Sequence, residues 1–162
     1  MNIKSFLLMA AMLVSGYAAA QDAPRGNLIY CSYSQDRVAG LGKSYCELIA
    51  DPSSEPTIRV VLDQNSRLQP QREAEFKVES DVVASLQEKL AQAEAYKLDG
   101  YVADERLEGG AVYRIHIEYD SGEKITAWWH AHNVSPDAIA AYALIKKYFE
   151  PWKIKVDAQT GQ

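Results

Sequence analysis

The chain has 162 residues, with 17 Lys and Arg against 22 Asp and Glu and a net charge of −5. The basic residues gather into no run or stripe, so the electrostatic footprint of a nucleic-acid binder is missing. The length is enough for one ordinary domain with a core of its own.

The N-terminus has the layout of a secretory signal peptide. Lys4 supplies a small positive region, Phe6 to Val14 is an apolar run, and Ala18-Ala19-Ala20 offers a small-residue cleavage site before Gln21. The apolar run is too short for a stable membrane span, and no cysteine marks the site for a lipoprotein anchor. The alternative is a hydrophobic anchor that is never cleaved. Cleavage after Ala20 leaves 16 basic residues against 22 acidic ones, because only Lys4 among the charged residues precedes the site. It also removes Met1, Met9 and Met12, all three methionines of the chain. The expected organisation is a signal peptide at 1–20, one globular domain at 21–152 and a polar C-terminal tail at 153–162. The mature protein is then periplasmic or extracellular and carries no membrane span.

Leu28 to Ser34 and Lys43 to Ala50 both alternate with the period of half-buried strands. Folded as a hairpin around Ala39, they set Cys31 opposite Cys46, Ile29 opposite Leu48 and Tyr33 opposite Ser44. An exported protein can keep a disulfide, and a Cys31–Cys46 bridge closing such a loop is worth about 3 kcal/mol in the chain-entropy model. The alternative is two separate buried thiols. Gly40-Leu41-Gly42-Lys43-Ser44 looks like the end of a phosphate-binding loop, but Arg37 stands where the first glycine belongs. The segment that follows also continues as a strand, where the motif requires a helix.

Asp51 to Pro56 is a turn by composition. Thr57 to Gln64 is a third strand with Ile58, Val60 and Leu62 on one face. Asn65 to Arg72 is a polar loop, and Glu73 to Val78 is a short fourth strand with Ala74, Phe76 and Val78 inward. Ser80 is the expected N-cap of a helix whose stripe is Val83, Leu86, Leu90 and Ala93. Gly100 is its expected left-handed terminator. Tyr101 to Leu107 forms a further strand that turns at Gly109-Gly110 into the next one.

Val112 to Tyr119 alternates again, and Asp120-Ser121-Gly122 fits a three-residue hairpin loop with Gly122 at positive φ. This loop pairs Ile117 with Ile125, Ile115 with Ala127 and Tyr113 with Trp129 on one face. On the other it pairs Glu118 with Lys124, His116 with Thr126 and Arg114 with Trp128, an ion pair and a cation–π pair among them. A slip of one residue would break both sets. Ser135-Pro136-Asp137 then opens a helix with Ser135 as N-cap. Its stripe is Ala138, Ala141, Tyr142, Ile145, Tyr148 and Phe149. Pro151 is expected to end it, with Trp152 closing the end.

The order of elements gives an α+β fold, a mostly antiparallel sheet of about six or seven strands with two helices packed on one face. Leu98-Asp99-Gly100-Tyr101, Gly109-Gly110 and Tyr119-x-x-Gly122-x-x-Ile125 before a Pro-started helix resemble small exported bacterial domains with the same hairpin and helix start. The resemblance covers the C-terminal half. It implies the fold and a bacterial source and brings no catalytic residue with it.

Few residues point to chemistry. His130-Ala131-His132 is a partial metal pair, but zinc wants three or four ligands, and His116 lies about 13 Å away along the strands. No nucleophile elbow, zinc-protease motif or catalytic cysteine context is present. No catalytic residue, metal ligand set or cofactor is therefore assigned. Trp128 and Trp129 are adjacent and point to opposite faces. Trp128, Arg114, His116 and His130 share the face away from the core and are the candidate binding residues, since Trp and Arg anchor interfaces. The alternative is that Trp128 belongs to a second small core. The expected function is an exported, non-enzymatic binding or envelope-structural module with a protein or small-ligand partner. The alternative is a small hydrolase, or an inhibitor of one, with a site assembled across the fold.

Overall fold

A computed structural model describes residues 22–37, 41–105 and 107–159. The segment read as a signal peptide, its cleavage point after Ala20, the hairpin tip at Ala39 and the end of the chain at 160–162 lie outside the described residues.

Among the described residues, seven strands form a single sheet. They are β1 (Leu28–Arg37), β2 (Gly42–Ile49), β3 (Thr57–Gln64), β4 (Arg72–Lys77), β5 (Tyr101–Asp104), β6 (Ala111–Tyr119) and β7 (Lys124–His130). Their spatial order is β4-β3-β2-β1-β6-β7-β5. Two helices, α1 (Ser80–Gln92) and α2 (Pro136–Gln159), contribute to one buried cluster with the inward side chains of the sheet. The fold is α+β, and the pairing is antiparallel except for β5 beside β7.

The central hairpin forms in the expected register, Tyr113↔Trp129 through Glu118↔Lys124. Gly122 sits at φ 94°, where a side chain would be strained. Its N–H donates to Tyr119 O at 2.9 Å, and Tyr119 N–H donates to Glu123 O at 2.9 Å. Ser135 caps α2, its Oγ accepting from Ala138 N at 3.4 Å.

Several expectations are corrected. The β1–β2 register is Cys31↔Leu48 and Tyr33↔Cys46, two residues from the one expected. A two-residue shift leaves every side chain on its face, so the apolar pattern does not select between the two registers. Cys31 and Cys46 become diagonal neighbours, about 7–8 Å apart for such positions, beyond the usual Cα separation of a disulfide. Both are free thiols and fully buried. Burial pushes the Cys31 thiol far up and the Cys46 thiol up to about 11, and Cys46 Sγ donates to Tyr33 Oη at 3.6 Å. In native buffer neither should react with a thiol reagent. In denaturant without reductant both should react, and recovery of fewer than both would contradict the pairing.

The second correction concerns Pro151. The helix runs through it to Gln159. Proline removes the donor for the Lys147 carbonyl, but Lys147 is exposed and water can take that acceptor. Tertiary contacts hold the extension. Val156 is buried, Lys155 lies 5.5 Å over the Phe76 ring, and Arg72 pairs with both Asp63 and Asp157 at 2.6 Å. The apolar side of β3 and β4 needs a cover, and this extension supplies it, so residues 153–159 are part of the domain.

The remaining corrections concern α1 and β5. Glu79 takes the cap position of α1 at φ −78°, ψ 159° without a side-chain bond, and Ser80 is the first helical residue. The helix stops at Gln92, a 3-10 turn spans Ala95–Leu98 after Glu94 at φ 48°, and Gly100 at φ 74° ends that turn. Ala93, expected in the stripe, is exposed. β5 does not turn back into β6 as a hairpin. It lies parallel to β7 at the sheet edge, Val102↔Trp128 and Ala103↔Trp129. No helix among the described residues is long and apolar enough to cross a membrane.

Candidate functional site

Alternation divides each strand between the helix-covered face and an open face. β1 sends Cys31 and Tyr33 inward and Tyr30, Ser32, Ser34 and Asp36 outward. β2 sends Cys46 and Leu48 inward and Lys43, Tyr45 and Glu47 outward. Registers on both sides of β1 align these residues in rows. One row reads Val61, Tyr45, Ser34, Arg114, Trp128, Val102. The next reads Arg59, Glu47, Ser32, His116, Thr126.

The middle strand of the sheet thus carries the two smallest side chains in both rows. The result is a hollow of about 400 Å³ on the open face, floored by Ser32 and Ser34. Its walls are Tyr45 and Glu47 on β2 and Arg114 and His116 on β6. Two interstrand steps separate the wall backbones by about 10 Å. Ser34 is the polar residue buried in the floor among the described residues.

Tyr30 closes one end. Its hydroxyl donates to Glu47 Oε2 at 2.6 Å, and its ring meets His116 edge-on at 5.6 Å. Burial, helped by the Glu47 carboxylate, pushes the phenol up to about 12. Arg59 pairs with Glu73 at 2.5 Å and Glu47 at 3.5 Å, and the Glu73 bond raises its already high pKa. Lys43 Nζ and the Arg59 guanidinium lie 5.4 and 5.9 Å over the Tyr45 ring. Arg114 reaches Asp36 at 3.9 Å. His116 Nε2 bonds Glu118 at 2.6 Å, and Lys124 bonds the same oxygen at 3.1 Å. These two partners, His116 first, hold the Glu118 carboxyl below the usual range.

The four residues singled out from sequence share the open face, but only Arg114 and His116 line the hollow. Trp128 stands one strand further out, half-buried between Arg114 and Val102. The expected stacking of Arg114 on Trp128 is not formed. The cation–ring contacts among the described residues are those on Tyr45 and Phe76. His130 lies beside Asp104, and its Nε2 is 2.9 Å from Gly109 O. Gly42-Lys43-Ser44 is the start of β2, and Ser44 Oγ accepts from Asp63 N at 3.2 Å. Tyr30, Ser32, Ser34, Lys43, Tyr45, Glu47 and Arg59 also line the hollow, and no local motif marks them. Their alternation is readable, but the pairing of β1 with β6 that assembles them joins distant parts of the chain.

No family model matches this chain, and no curated protein matches it significantly.

The tyrosines give a pH prediction. Tyr30, Tyr119 and Tyr148 are each pushed up to about 12, chiefly by burial. Unfolded tyrosines ionise near 10. Their contribution is complete below about pH 10 and is lost as pH rises from there toward about 12, because the unfolded state releases its protons first. Urea melts at about pH 8 and about pH 11 should show a clear loss of stability at the higher value. Equal midpoints would contradict it.

Proposed function

We propose that this chain is an exported, non-enzymatic binding domain that holds its ligand on the open face of the sheet. The observation that carries this reading is the serine floor between a wall of Tyr45 and Glu47 and a wall of Arg114 and His116. Small side chains on the central strand make a concavity where a sheet would otherwise be filled by its own surface. Concave sites with a few placed polar groups are where small ligands bind. Export is supported by the charge, apolar run and small-residue triplet of the first 20 residues.

A hydrolase is the second reading. Ser32 faces His116 across β1 and β6, and His116 carries Glu118, an order reminiscent of a serine relay. Against it stands the floor strand itself. β1 is paired along both edges, which commits its backbone N–H groups to the ladders. An acyl-transfer site needs free donors aimed at the developing oxyanion.

A small-fragment screen by NMR tests the binding reading without knowledge of the ligand. Hits should cluster at Tyr30, Ser34, Tyr45 and Arg114. The crevice between the helices, lined by Lys89, Leu144 and Tyr148, serves as the internal comparison. Clustering there instead, or no hits in the hollow, would sink the proposal. Ester hydrolysis abolished by Ser32→Ala would favour the second reading.

A further inference from the structure

The hollow also specifies its ligand chemistry, an inference that rests on the open face being the binding surface. We infer that it takes a hydroxylated monocarboxylate of ring size, a uronic acid residue, with the carboxylate held between Arg114 and Lys43 and the ring over Ser34.

The charges set the ligand's charge. Among the described residues, three cations line the hollow, Lys43, Arg59 and Arg114. Arg59 is already spent on Glu73 and Glu47 at 2.5 and 3.5 Å. Arg114 and Lys43 flank the Asp36 end of β1, and that one carboxylate is the acid opposite Lys43 and 3.9 Å from Arg114. Arg114 contacts this carboxylate, and Lys43 stands in register with it while its ammonium lies over the Tyr45 ring, so two cations face one acid and leave room for one negative charge. Glu47, in the opposite half of the hollow, disfavours a second. A phosphate monoester carries between one and two charges at neutral pH, so a single carboxylate suits the site better. Arg114 adds the planar fork that matches a carboxylate.

The remaining polar groups set the rest of the ligand. Glu47 only accepts, while Ser32 and Ser34 accept or donate. A ligand that meets all three carries hydroxyl groups. The walls are about 10 Å apart at the backbone, which leaves the width of one ring between side chains. Tyr30, bonded to Glu47 and edge-on to His116, bounds the far end of the serine floor.

The test is an NMR titration of the whole protein with sodium glucuronate, glucose and glucose 6-phosphate. Glucuronate should shift the signals of Ser32, Ser34, Tyr45 and Arg114. Glucose, without the charge, and glucose 6-phosphate, with too much, should each bind at least about tenfold more weakly, as expected for one charge-assisted contact. Arg114→Gln should weaken glucuronate binding by a similar factor while keeping a folded spectrum. Lys77→Gln, on the edge strand β4, should leave it unchanged. Equal binding of glucose, tighter binding of the phosphate, or no effect of Arg114→Gln would overturn the inference. Fragments that occupy the hollow while glucuronate does not would overturn the ligand class and leave the binding surface standing. An empty hollow in both experiments removes both. A glucuronate-containing oligosaccharide separates the sources. Tighter binding than the monosaccharide at the same residues assigns a polymer, and equal binding assigns the free acid.

Discussion

Trp129→Ala destabilises the protein by about 3–5 kcal/mol, the range for truncating a large aromatic in a packed core. Trp129 is 4% exposed. It stacks on Tyr113 at 5.7 Å and meets Tyr142 and Tyr101 edge-on at 5.4 and 6.3 Å. Alanine removes the indole from a site bounded by three other rings on β5, β6 and α2, and none of them can collapse into the space without leaving its own partner. Trp128→Ala, one residue away, costs about 1 kcal/mol or less, because its face is not covered by a helix. Urea melts of the two variants compare the faces directly. Equal losses would mean that the outer face is a second core, and the separation of stability from binding would fail.

Phe149→Ala is expected to cost about as much, again about 3–5 kcal/mol. Phe149 is fully buried on α2. Its ring lies 5.8 Å from Tyr33, 5.6 Å from Tyr148 and 6.4 Å from Trp152. Tyr33 in turn meets Tyr142 at 5.4 Å, so the rings form one continuous aromatic seam from β5 to the helix past Pro151. Truncation at Phe149 also loosens the extension that covers β3 and β4. Its denaturation should therefore expose the Cys31 and Cys46 thiols at lower urea than in the parent. Thiol reactivity followed through the melt checks this, and an unchanged onset would show that Phe149 does not anchor α2.

What the sequence reveals follows the distance between partners. The β6–β7 register is local, and one turn with Gly122 plus the apolar alternation determines it. The α+β class and most strands follow from periodicity, and the start of α2 follows from its Ser135 cap. The β1–β2 register is local too, yet missed by two residues, since that shift keeps Cys31, Tyr33, Cys46 and Leu48 on the core face in either arrangement. Helix α2 passes Pro151 because Val156 is buried in the core and Asp157 pairs with Arg72 on β4, which no local rule registers. The site shows the same divide. Arg114 and His116 stand out beside a tryptophan pair, whereas Ser32 and Ser34 look ordinary until β6 is placed against β1. Small residues announce a floor only when the walls are known.

On the proposed reading, stability resides on the helix-covered face and binding on the open one. Arg114→Ala tests it most directly, because Arg114 lines the hollow and is exposed. The measurement is an NMR titration of this variant with a fragment that occupies the hollow in the parent. A folded spectrum with the shifts at Ser34 and Tyr45 lost is the predicted result. Shifts of unchanged size, or a spectrum of an unfolded chain, would contradict the account.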